Sequence, residues 1–324
     1  MQKIAIFNVG GALSSYVEMD DFKFLVDIGA GNDFSPVSDF LLPLAKIGHF
    51  EKYSSEKYLV SQLFLSHLDN DHISDYENFS QYFHPKLLTA PNDHQLISHL
   101  LRVSRDKISK NEVADQILRD MQSRVPGLDP SNPDYERPLA VCDQERMLLS
   151  YIPPTECEDL DEVSEEEYPH YCNNISLVLY IKPANGSILF PGDIMKDGIQ
   201  HLINSNSDFR NVISNLGVDF LVAPHHGLDT SYPVSFFETV KNGKVRLCII
   251  SEKKNKKDDS DSRHNVDTRY YSPECAIGVD VLNGAEGIQR GIITSRGHIV
   301  IDFSQQEPVV KRCLTNDELI REFV

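Results

Sequence analysis

The sequence predicts an α/β protein, and three observations carry that prediction. Short apolar runs rich in valine, isoleucine and phenylalanine recur along most of the chain and read as strands. Three of these runs end in clusters of aspartate and histidine. Between the first such cluster and the second, apolar residues take helical spacing instead. At 324 residues, with 40% hydrophobic and 25% charged side chains, the chain is long enough to bury a full core as one large domain, residues 1–324.

The elements follow in order. Met1 to Val9 is a short apolar stretch stopped by Gly10-Gly11, which reads as a first strand and not as a signal peptide. Ser15–Met19 and Phe22–Asp27 flank Asp20-Asp21 as a hairpin, and Gly29-Ala30-Gly31 makes a glycine-rich corner. Tyr58–Leu65 is a further strand. Residues 81–168 are expected to form a mainly helical and acidic-loop insertion, with helical spacing at Gln95–Leu101 and Val113–Met121, closed by Pro126, Pro130 and Pro133. Strands return at Ile175–Ile181 and Gly186–Phe190, then at Val218–Ala223 and Val245–Ile250. Gly291–Thr294 and His298–Phe303 read as a closing hairpin around Ser295-Arg296-Gly297. Asn316–Val324 is a short helix, with Thr315 or Asn316 as its cap.

The chemistry gathers at strand ends. Ser66-His67-Leu68-Asp69-Asn70-Asp71-His72 puts two imidazoles and two carboxylates into one loop behind an apolar strand. Such a donor set suits zinc or manganese-class ions. A solvated polar turn would explain the aspartates, but not two histidines at this spacing. Phe190-Pro191-Gly192-Asp193 adds a carboxylate where glycine permits close backbone approach, a weak signal by itself. Leu221-Val222-Ala223-Pro224-His225-His226-Gly227 delivers two adjacent histidines, which strand alternation would not leave together in a core.

The order HxDxDH, NxSLVL, GD and HHG resembles the metallo-β-lactamase family. It is most similar to the hydrolase domain of the DNA-uptake channel protein ComEC and its stand-alone relatives. Asn8-Val9-Gly10-Gly11, Leu25–Gly29 and Ile293–Ile299 extend the likeness over most of the chain outside the insertion. The resemblance implies a metallo-β-lactamase αββα sandwich and a hydrolase with two divalent metal ions, zinc or manganese. It gives His67 and Asp69 to the first metal, Asp71, His72 and His226 to the second, and Asp193 to both. Asp71 and His225 take the catalytic roles, with the parts of His225 and His226 exchangeable. Asn174 and Ser176 fall beside the site. Asn174 stands where many relatives have a further histidine ligand, and the first strand lacks the DVGQGD-like turn usual in the DNA-uptake domain. Lys253 to Asp261 reads as a mixed-charge loop, and Arg263 and His264 after it read as a plain surface pair, with contact to a substrate phosphate as the alternative.

Two divalent ions sharing Asp193 would lower the pKa of water, polarise the substrate and stabilise the leaving oxygen. No GxSxG elbow or Cys/His signature competes. Phosphodiester cleavage, by a phosphodiesterase or nuclease, is the first expectation. Thioester or lactone hydrolysis is the second, and a partner-binding protein in a multi-protein system the third.

The formal charge of −18, with eight acidic and no basic residues between Glu156 and Glu167, disfavours long duplex DNA as a substrate. It favours a nucleotide, a single strand, or delivery by a protein partner, and the acidic run itself reads as a solvated loop, with a surface for a basic partner as the alternative. Six scattered cysteines without CxxC spacing suggest a reducing, cytoplasmic setting, and no apolar run is long enough to span a membrane.

Overall fold

The computed structural model describes residues 1–91, 112–123, 141–153, 156–157, 171–252 and 265–324. Fourteen strands follow in chain order: β1 (Gln2–Ile6), β2 (Ser14–Met19), β3 (Phe22–Ile28), β4 (Tyr58–Phe64), β5 (Phe83–Thr89), β6 (Met147–Ser150), β7 (Val178–Ile181), β8 (Ile188–Phe190), β9 (Phe220–Val222), β10 (Leu247–Ile250), β11 (Val281–Leu282), β12 (Gly291–Ile293), β13 (His298–Asp302) and β14 (Val309–Cys313). They form an eight-stranded sheet in the order β11-β14-β13-β1-β2-β3-β4-β5 and a six-stranded sheet in the order β12-β10-β9-β8-β7-β6.

Alternation of side chains along each strand builds the layers. Ile4 and Ile6 of β1, Phe220 and Val222 of β9, and Leu247 and Ile249 of β10 fill the space between the sheets. Their neighbours Ala5 and Phe7 face outward against Phe40, Leu44, Phe79 and Phe323. Leu221, Cys248 and Ile250 face the other way, toward Ile199, Leu202 and Phe236 of the helices Lys196–Ser205 and Val234–Thr239. Both faces of each central strand are therefore buried, which explains why these runs are continuously apolar. The result is the expected αββα sandwich.

Two strands fall within the stretch read as a helical and acidic-loop insertion. β5 and β6 lie inside residues 81–168, yet each is a strand of one of the sheets, paired with β4 and β7. Pro85 disguises β5, and a proline is tolerated there because β5 ends its sheet. The helix Glu112–Ser123 covers the first sheet through Ala114 and Ile117. The Gln95–Leu101 helix and most of the acidic run fall outside the described residues, as do Lys253 to Asp261, Arg263 and His264.

The closing hairpin is also corrected. β12 runs parallel to β10 in one sheet, whereas β13 pairs antiparallel with β1 and β14 in the other. The turn Thr294–Arg296 and Gly297, at φ +134°, carry the chain across the sandwich instead of folding it back. Two apolar runs around a glycine turn look the same in either case. The last helix, Asn316–Arg321, is capped by Thr315, whose hydroxyl accepts from the Glu318 amide. Among the described residues, no helix is long and apolar enough to cross a membrane.

His298 joins this crossing to the site loops. Its Nδ1 accepts from the backbone N–H of Asn8 at 3.1 Å, and its ring packs on Phe34 with centroids 4.5 Å apart. Burial drops its pKa from 6.5 to about 4, against a smaller upward pull from Asn316. The folded state thus resists a proton that the unfolded chain accepts, so stability contributed above pH 6.5 is lost between pH 6.5 and 4. His298→Gln should flatten that part of the curve by up to about 3 kcal/mol, measured as urea midpoints of both proteins across the window.

Candidate metal centre

The carboxyl ends of β3, β4, β8, β9 and β10 meet at one edge of the sandwich and deliver the polar residues there. β4 feeds the loop Ser66–Asp69 and a single turn of helix, Asn70–Ile73. β8 feeds Gly192-Asp193, and β9 feeds Pro224–Gly227, in which His225 (φ +47°), His226 (φ +58°) and Gly227 (φ +75°) are all left-handed. That conformation is costly for histidine, and strained residues of this kind gather at functional sites.

The loops are tied to one another by backbone hydrogen bonds. Leu177 N–H donates to the Ser66 carbonyl at 2.8 Å, and His225 N–H to that of Gly192 at 3.1 Å. Gly192 is required at its position. It lies at φ +61°, and a Cβ there would sit 2.8 Å from the Ser66 Cβ.

Four side chains converge on Asp193, which is 4% exposed. His72 Nε2 lies 3.3 Å from its Oδ1. His67, His225 and His226 place Nε2 at 3.8, 3.9 and 3.7 Å from its Oδ2. His226 Nε2 is also 3.3 Å from Asp71 Oδ2. Two groups of donor atoms, His67-His72-Asp193 and Asp71-His72-His226, each fall within 4.8 Å. They overlap at His72. The Nε2 atoms of His67, His72 and His226 are buried without a hydrogen-bond partner. Three orphaned imidazole nitrogens facing carboxylates fit a cation, because buried polar atoms are otherwise satisfied.

The opposite ring nitrogens are all held. His72 Nδ1 meets Asp27 Oδ2 at 2.9 Å, and His67 Nδ1 meets Ser66 Oγ at 3.1 Å. His226 Nδ1 meets Ser251 Oγ at 2.8 Å, and His225 Nδ1 meets Ser231 Oγ at 3.0 Å. Such partners fix ring orientation in metal sites.

Electrostatics agree with the geometry. Burial alone would depress the His72 pKa, but the carboxylates of Asp193 and Asp27 outweigh it and raise it well above the ordinary value. Burial works the other way on Asp193, and the charges of His72 and His226 hold its carboxyl well below the usual range. Burial keeps His225 below its ordinary value. The centre stabilises positive charge placed between imidazoles and carboxylates.

The expected residues are thus placed unequally. His67, Asp71, His72, Asp193 and His226 come together. Asp69 lies 3.7 Å from His67 Nε2 with a 38% exposed side chain, at the edge of the first group. His225 adjoins Asp193 outside both groups. Asn174 has no ligand position. Its Oδ1 accepts from Met195 N–H at 3.0 Å and its amide donates to Asp197, so it braces the turn after Asp193. Ser176 Oγ accepts from Asp193 N–H at 3.1 Å, which places it directly behind that residue.

Asp27, Ser231 and Ser251 complete the centre without having been expected there. Asp27 carried a sequence signal, a carboxylate ending an apolar strand before Gly29. The two serines carried none, since only the tertiary fold brings them to the histidines.

No protein-family model and no curated protein matches the chain. Among solved structures, it is similar to a protein from Thermotoga maritima described as a candidate metallo-beta-lactamase, at 14% identity and TM-score 0.35, over 68% of this chain and 95% of that one. It is also similar to the metallo-beta-lactamase MIM-1 from Novosphingobium pentaromativorans, at 15% identity and TM-score 0.33, over 68% and 76%. A third is AidC, a dizinc quorum-quenching lactonase, at 13% and 0.31, over 64% and 70%. The chain's own architecture is an αββα sandwich with two candidate His/Asp ligand groups at one edge.

Removing the support behind His72 tests the centre without touching a ligand. Asp27→Asn should lower metal affinity roughly 10–100-fold while the protein stays folded, read by competition with a chromogenic chelator and by circular dichroism. Unchanged affinity would mean that His72 is not held for a metal.

Proposed function

We propose that the chain is a dinuclear metal-dependent phosphodiesterase or nuclease acting on a small or single-stranded phosphoester. The observation that carries the reading is the convergence of three orphaned imidazole nitrogens on Asp193 and Asp71. His67 and Asp193 would hold one ion, with Asp69 at its rim, since the one ring nitrogen His72 has left beside Asp27 can serve a single ion and goes to the second. Asp71, His72 and His226 surround the second position. The carboxylate share of this set suits zinc or manganese and an anionic oxygen substrate. Bound divalent ions supply an activated water and Lewis-acid stabilisation of the leaving oxygen.

The chain's own residues do the rest. Asp71 faces both the second group and an open cleft, so it can orient the attacking water and accept its proton. His225, held through Ser231 and left out of both groups, presents a ring nitrogen beside Asp193 for a substrate oxygen or leaving group. Gly192 and Ser176 fix the Asp193 main chain against the Ser66 loop, which limits the motion of the centre.

With added manganese or zinc, bis-p-nitrophenyl phosphate should be hydrolysed much faster than p-nitrophenyl acetate. The reverse preference would move the assignment to carbonyl substrates. Elemental analysis beside turnover separates the histidine pair. His226→Ala should lose metal and activity together, whereas His225→Ala should keep its metal and lose roughly 10²–10⁴-fold in turnover. Exchange of these two outcomes would exchange the two roles.

A further inference from the structure

Beside Asp71 an open cleft of about 370 Å³ runs between two glycine-containing loops, Asn8–Ala12 and Ala30–Asp33, and reaches Asn70 and Ser74. Its walls are main chain in direct contact. A Cβ on Gly31 would lie 2.7 Å from the Val9 carbonyl oxygen, and one on Gly29 would lie 1.8 Å from that of Asp71. Three hydrogen bonds fasten the same loops. Leu13 N–H donates to the Asp71 carbonyl at 3.1 Å, Ala30 N–H to Ser74 Oγ at 2.8 Å, and Asn8 N–H to His298 Nδ1 at 3.1 Å. The cleft is therefore preformed, and it is built on the same loop as the metal ligands.

Its chemistry is selective. The described residues lining it include three amides, Asn8, Asn32 and Asn70, and two carboxylates, Asp33 and Asp71, but no lysine, arginine or histidine. A second phosphate would be repelled there. Hydroxyl groups suit the carboxylates as donors, and mixed donor and acceptor edges suit the amides. The volume sits at the small end of ligand sites and matches one sugar-base unit, not a duplex.

We propose that this cleft holds the nucleoside of a ribonucleotide phosphodiester whose phosphate lies at the metal centre, an inference that rests on the phosphodiesterase reading. The ribose hydroxyls face Asp33, and the base is read by Asn32 and Asn70. The non-reacting half of the substrate is thereby uncharged and hydroxylated.

Titration calorimetry of the metal-loaded full chain with uridine, 2′-deoxyuridine and inorganic phosphate tests the cleft apart from catalysis. Uridine should bind even with phosphate present, and 2′-deoxyuridine more weakly. Asn32→Ala and Asp33→Ala should each weaken uridine about tenfold, the effect of one lost hydrogen bond. Failure of uridine to bind, or binding indifferent to both substitutions, would overturn the assignment. If bis-p-nitrophenyl phosphate is not hydrolysed at all, the phosphodiesterase reading falls, while uridine binding and its loss in the variants still decide whether the cleft is a nucleoside site.

Discussion

The site depends on one buried carboxylate. Asp27 is fully buried at the end of β3 and adopts φ +57°, a conformation that costs a non-glycine residue of order 1–3 kcal/mol. It accepts from Ser66 N–H at 2.7 Å and Ser66 Oγ at 2.9 Å, and it meets His72 Nδ1 at 2.9 Å. Those partners offset the strain and the burial of a charged group, which without them would be prohibitive. In return, the carboxylate sets the direction of the His67 and His72 rings, because Ser66 Oγ lies 3.1 and 3.2 Å from their Nδ1 atoms. The first strand-end cluster is arranged from behind, by a residue that does not itself reach the centre.

The second sheet answers with weaker, neutral partners. Ser176, Ser231 and Ser251 hold Asp193, His225 and His226, one hydroxyl for each. Hydroxyls can donate or accept, so they tolerate either tautomer of the rings they touch, whereas a carboxylate commits its histidine. On the half built on β3 and β4, the Asp27 carboxylate accordingly fixes the tautomer and direction of His72. The half built on β8, β9 and β10 can adjust. That asymmetry places the rigidly held His72 where the two candidate groups overlap, and leaves His225 outside both.

Much of this was legible in the sequence, and the reasons are local. His67, Asp71, His72, Asp193 and His226 each follow an apolar strand within a few residues, so the strand delivers them wherever it ends. The αββα layering was expected from the resemblance carried by the motif order HxDxDH, NxSLVL, GD and HHG, while the continuously apolar runs marked the strands that are buried on both faces. Strand partners were not legible. Gly291–Ile293 and His298–Asp302 have the composition of a hairpin, yet they belong to different sheets, and periodicity carries no information about which strand lies alongside. β5 was hidden by Pro85 at a sheet edge. The bracing role of Asn174 was hidden too, since a neutral amide near a metal motif looks the same whether it faces the centre or the backbone of Met195.

Charge ties the site to its substrate. The chain carries a formal −18, and three of the carboxylates within that count, Asp69, Asp71 and Asp193, lie at the centre. An anionic substrate approaching such a surface gains nothing at long range, because the field of the whole protein opposes it. On the proposed reading, attraction would begin only within a few ångströms, where divalent ions held by these residues would outweigh the surrounding acids. A long polyanion would meet the opposing field along its whole length and the attraction at one phosphate alone. A short phosphodiester with an uncharged flank meets the attraction without most of the opposing field. Exclusion by charge thus acts in the same direction as the cleft beside Asp71, which has room and partners for one neutral unit.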